Sequence, residues 1–211
     1  MHYTDLIRDL RLQLWGIIYP QWRADLFSVR WWFIASIIAI CYAIWWKYVD
    51  KHRLSNILLF GSFIAVSRII MDDFGASVGG FVYTIRLIPL GHALFLNDLT
   101  VFPLAFMLVY QYCSTWKSFL VWSVIADAVL CFAFLPLLSS LEILQLYTWR
   151  YYYTFLIILG IAIVMRAIML TVLWFEEQDG TLERSELPST ILAQPARRHQ
   201  FSKSDSDKQK R

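Results

Sequence analysis

Charge, glycine and cysteine are all scarce in this chain. Of its 211 residues only 17% are charged, and it holds 8 glycines, 6 prolines and 3 cysteines. A soluble domain carries roughly 25% charged residues, so an ordinary water-facing surface is excluded. Cys41, Cys113 and Cys131 make neither a C-x-x-C pair nor a zinc spacing, and each lies in or at the edge of an apolar stretch. They read as small buried hydrophobes, not as redox groups. There is no Gly-x-Ser-x-Gly elbow, no phosphate-cradling glycine loop and no His-Glu-x-x-His pair, so catalysis finds little support and no cofactor or metal is expected. The basic residues sit at the ends and in the connections and form no face suited to nucleic acid. No cleavable signal peptide is expected: the stretch Leu12–Tyr19 is short, and Asp5, Arg8, Asp9 and Arg11 precede it.

What fills the chain instead is apolar. Hydrophobic residues make up 58% and aromatics 17%, and the mean hydropathy is +0.51. Apolar runs cover residues 31–49, 54–72, 98–113, 117–138 and 150–175. Crossing a bilayer takes about 20 apolar residues, because the hydrocarbon core is about 30 Å thick and a helix rises about 1.5 Å per residue. The expected fold is therefore all-α: an integral membrane helical bundle of about five transmembrane helices. An amphipathic N-terminal segment (1–30) precedes the membrane domain (31–175), and a polar, disordered tail (176–211) follows it.

In the first segment Leu6, Leu10, Leu14 and Ile17 fall at helical spacing, with Thr4 or Asp5 as a cap and Pro20 as the stop. Such a helix either lies in the membrane interface or packs on the bundle. Trp31–Trp32 and Trp45–Trp46 are placed as two interfacial belts of the first span. The connection 73–97 is too apolar for a solvated loop and is expected to dip into the outer edge of the bundle. The span at 98–113 is short and carries Pro103. Pro136 is expected to end or bend the fourth span. With five spans, Lys47, Lys51, Arg53, Lys117 and Arg184 share a side, which favours a multi-pass protein of the cell membrane with a cytoplasmic tail.

Ionisable residues within such runs cost at least a few kcal/mol each and call for a partner, water or a task. Arg68 and Asp72 are i, i+4 on one helix face. Depth counting puts them near the outer mouth, in one layer with Asp73, His92, Asp98 and Glu142. These six residues form a candidate outward-facing polar vestibule for a headgroup or cation. Its alternative is a set of separate features: a local Arg68–Asp72 pair, an Asp98 cap and a solvated His92. Deeper, Asp127 and Arg166 come out at matching depths when counted from the inner ends of their spans. An intramembrane ion pair is expected there, as a clasp or as part of an ion path.

Several stretches together resemble a family of small integral membrane proteins of spore-forming Firmicutes. They are Ile44-Trp45-Trp46-Lys47-Tyr48-Val49-Asp50-Lys51, Leu58-Leu59-Phe60-Gly61-Ser62, Asp72-Asp73-Phe74-Gly75, Asn97-Asp98-Leu99, Tyr110-Gln111-Tyr112 and Thr115-Trp116-Lys117-Ser118-Phe119. The resemblance covers roughly residues 31–170 and implies a bacterial multi-spanning protein without an assigned activity. This chain departs from the family's pattern at Leu135, where an acidic residue would precede the proline. The order Asp72, Gly75, Gly79, Tyr83 is also similar to membrane enzymes that modify carotenoids. Three functions follow as alternatives: a structural or accessory envelope protein of sporulating cells, an enzyme or binder acting on a lipid or isoprenoid at the vestibule, and a small transporter or channel. Membrane lipids are the expected partners, together with a protein partner or a second copy of the chain.

Overall fold

The computed structural model describes residues 3–89 and 98–178. Six helices dominate it: α1 (Tyr3–Asp25), α2 (Val29–Tyr48), α3 (Leu54–Ser77), α4 (Val101–Tyr112), α5 (Trp116–Ser140) and α6 (Tyr151–Gln178). The protein is an all-α membrane bundle: α2, α3, α5 and α6 are long and apolar enough to cross a bilayer. The span expected at 98–113 is the shorter helix α4, whose twelve residues rise only about 18 Å. The chain divides after Val172. The geometry below belongs to the first unit. The described part of the second is the end of α6, where Trp174 and Phe175 meet edge to face at 4.9 Å.

Local chemistry explains the helix limits. Ser28 caps α2, its hydroxyl accepting from the Trp31 amide at 3.2 Å, and Thr115 caps α5 by accepting from Ser118 at 3.2 Å. Proline behaves differently from expectation at two positions. Pro20 lies inside α1 and does not stop it. The carbonyl of Gly16, which loses its donor there, lies on a helix without a buried residue and is open to other donors. Since α1 begins at Tyr3, Thr4 and Asp5 sit in its first turn, where Asp5 complements the helix dipole. In α5, residues Leu130–Phe134 form a π-turn, and the Leu135 amide donates to Leu130. The wider turn re-pairs the ladder just ahead of Pro136, which has no amide to offer.

The packing centre is α3 against α4. Phe60 stacks on Tyr110 at 4.4 Å and meets Phe119 of α5 edge-on at 6.2 Å. Gly61 makes the approach possible: a Cβ there would fall 1.7 Å from Met107 Cε. Of the four long helices α3 is the most enclosed, with 39% of its span buried, and α2 the least, with 11%.

The connection after α3 is not a plain loop. Gly79 turns the chain at φ +73°, and Phe81–Tyr83 (β1) then pairs antiparallel with Leu144–Leu146 (β2), with Val82 opposite Gln145. The Gly80 carbonyl extends the ribbon by accepting from Tyr147 (2.9 Å) and Trp149 (3.1 Å). α1 is tied to this same end, since Gln21 and Trp22 donate to the carbonyls of Thr84 (3.0 Å) and Leu87 (3.1 Å). At the opposite end Gln111 bridges α4 to the α2–α3 turn, donating to Tyr48 (2.7 Å) and accepting from the Asp50 amide (3.0 Å). The polar tail after residue 178 and His92 lie outside the described residues.

Candidate functional site

One buried charged cluster lies beneath the two-stranded ribbon. Helical spacing puts Arg68 and Asp72 on one face of α3, and Arg68 Nη1 meets Asp72 Oδ1 at 3.0 Å. Its other terminal nitrogen, Nη2, reaches Asp98 Oδ1 at 3.2 Å, just before α4. The guanidinium lies 4.7 Å from the centre of the Phe102 ring, so the segment that leads into α4 supplies an anion and α4 itself a π-face. Tyr83 of β1 completes the set: its hydroxyl donates to Asp72 Oδ1 at 3.2 Å. Arg68 is 3% exposed, Asp72 and Asp98 0%, and Tyr83 1%. Burial, reinforced by the two carboxylates, drives the Tyr83 phenol well above its usual range, so it remains a hydrogen-bond donor.

Of the six residues expected in an outward vestibule, the structure brings Arg68, Asp72 and Asp98 together, enclosed and not open. Asp73 is exposed, because the next residue of a helix is turned about 100° from Asp72's face. Glu142, at φ +55° in the turn before β2, pairs with Arg30 at 2.5 Å, and both side chains are exposed. The rim of the bundle therefore holds a separate ion pair.

The expected Asp127–Arg166 pair does not form. Arg166 donates to the carbonyls of Cys113 (3.1 Å) and Ser114 (3.2 Å), and its guanidinium sits 4.3 Å from the Phe119 ring and 5.3 Å from Trp116. It caps the C-terminal end of α4, where carbonyls lack helical donors. Depth counted from Phe175 misplaced it: Arg166 is level with the α4–α5 turn, and Asp127 lies about 16 Å further along α5. Asp127 accepts from Cys131 Sγ at 3.3 Å one turn on, and it feels the charge of Arg68.

Sequence reasoning missed Phe102 and the placement of Tyr83 over Asp72. Phe102 follows Asp98 at i+4, which a helix starting at Asp98 would have exposed as a face. Tyr83 arrives through a strand pairing across some sixty residues, for which the sequence carries no local signal.

Two cavities bear on what these groups can do. One, of about 10 Å³, is lined by Arg68, Asp72, Tyr83 and Thr154 among others. That is room for about one water molecule. The other, of about 360 Å³, lies between α4 and α5 against Leu108, Val109, Tyr112, Cys113 and Trp122 and has no ionisable carboxylate on its wall. Among the described residues no group of three metal-ligating side chains forms. No family model, curated protein or solved structure matches the chain.

Proposed function

We propose that this chain is a structural or accessory protein of the bacterial envelope, and that the Arg68 cluster is its internal fastening. The single observation that carries this is the size of the space at the cluster, about 10 Å³. Pockets that hold organic ligands measure roughly 300–1,000 Å³. Arg68 instead binds α3 to the start of α4, and Tyr83 secures the ribbon on top. Breaking one partner of such a buried pair strands a charge, typically at several kcal/mol.

Lipids are the proposed partners of the outer faces. α1 leaves Leu6, Leu10, Leu14 and Ile17 exposed on a helix without a buried residue, which suits the membrane interface. The bacterial, spore-former setting rests on the family resemblance of residues 31–170.

The competing readings predict a bound ligand or a flux. Native mass spectra of the wild type and of Asp72→Asn/Asp98→Asn in mild detergent separate them. A bare or evenly lipid-decorated protein in both cases is expected. A discrete small molecule lost in the double variant would make the cluster a substrate site and overturn the fastening role.

A further inference from the structure

The charge count at the cluster does not close. Two carboxylates face one guanidinium, and all three are withdrawn from solvent. The groups around them are Arg68 and Asp72 from α3, Asp98 from the start of α4, Tyr83 from β1, and Asp127 with Cys131 from α5 within electrostatic reach of Arg68. Arg68 is the single cation acting on any of these aspartates among the described residues.

The hydrogen-bond inventory points the same way. Asp72 and Asp98 lie on the two terminal nitrogens of the same guanidinium, at 3.0 and 3.2 Å. Yet Asp72 Oδ2 and both oxygens of Asp98 have no hydrogen-bond donor among the described residues, the Arg68–Asp98 approach being an ion pair without hydrogen-bond geometry. Two ionised carboxylates on one guanidinium, out of water, repel strongly, and neighbouring carboxylates relieve the repulsion by holding a proton between them. The cavity beside Asp72 has the volume of about one water and is walled by Arg68 and Tyr83 as well.

We infer that Asp72 and Asp98 together bind one proton at neutral pH, making them with Arg68 a neutral buried unit. The proton sits on one carboxyl oxygen and bridges to the other, while the remaining negative charge is balanced by the guanidinium. This follows from the count of charges and donors, and it holds whether or not the protein acts as a scaffold.

Infrared spectroscopy of the reconstituted full-length protein tests it in the carbonyl-stretch region of protonated carboxyls. The wild type at neutral pH in sodium-free buffer is expected to show such a band, moving to lower frequency in D2O. Asp72→Asn and Asp98→Asn should each abolish it, because the carboxylate left behind is neutralised by Arg68 alone. Asp127→Asn should leave it. The wild-type band needs no variant to fold, and monodispersity on a sizing column qualifies the spectra of those that do. Absence of the band from the wild type at neutral pH would overturn the inference. So would a band removed only by Asp127→Asn, or one that disappears when sodium replaces potassium, which would assign the site to a metal cation.

Discussion

Tyr83 donates its phenolic proton to Asp72 across a break in secondary structure, from a short strand down to a helix face eleven residues earlier in the chain. This 3.2 Å contact joins the ribbon at one end of the bundle to the charged cluster inside it. Burying Tyr83, Phe81 and Leu144 is what ties β1 and β2 to the helices, since two strands alone are marginal in water.

Tyr83→Phe keeps the ring and removes the donor. It is expected to lower stability by about 1.5–3 kcal/mol, the range for a hydrogen bond to a charged group. Amide hydrogen exchange should locate the loss, with faster exchange at residues 81–83 and 144–146 and little change at the α4–α5 turn.

Gly61→Ala drives a methyl into Met107, whose Cγ and Sδ would lie 2.7 and 2.8 Å from the new carbon as well as Cε at 1.7 Å. The expected cost is about 1–3 kcal/mol by thermal unfolding in detergent. Adding Met107→Ala should recover part of it by clearing the space. A double variant no better than Gly61→Ala would place the strain elsewhere.

Arg166 and Asp127 should behave independently. A double-mutant cycle of Arg166→Gln and Asp127→Asn is expected to give a coupling below about 0.5 kcal/mol, as for distant sites. Arg166→Gln alone should destabilise the protein by exposing the Cys113 and Ser114 carbonyls and leaving two aromatic faces without their cation. A coupling of several kcal/mol would restore the intramembrane pair.

The exposed pair Arg30–Glu142 should matter little. Both side chains are about half exposed or more, at 48% and 68%. Glu142→Gln is expected to change the unfolding temperature only slightly, equivalent to at most about 1 kcal/mol, and less at high salt.

Much of this arrangement was legible from local pattern. Hydropathy located α2, α3, α5 and α6, and helical spacing paired Arg68 with Asp72. What spacing cannot express is contact between distant segments. The partnership of Asp98 with Arg68 spans thirty residues, and the β1–β2 pairing about sixty. Depth counting starts from helix ends, and α3 does begin at Leu54 as expected. It failed for Arg166, because helix ends do not all lie at one level. Pro20 shows the limit of single-residue rules: a missing hydrogen bond breaks a helix only where nothing else can serve the freed carbonyl.

The most direct test of the fastening role is a comparison of unfolding between Arg68→Met and the variant Arg68→Met/Asp72→Leu/Asp98→Leu/Tyr83→Phe. The single change leaves the buried Asp72–Asp98 pair without its cation and should cost about 3–5 kcal/mol. The fourfold change removes every charge and donor of the cluster and should regain most of that stability while keeping the helical fold. An Arg68→Met protein as stable as the wild type would contradict the account, and so would a fourfold variant that recovers nothing.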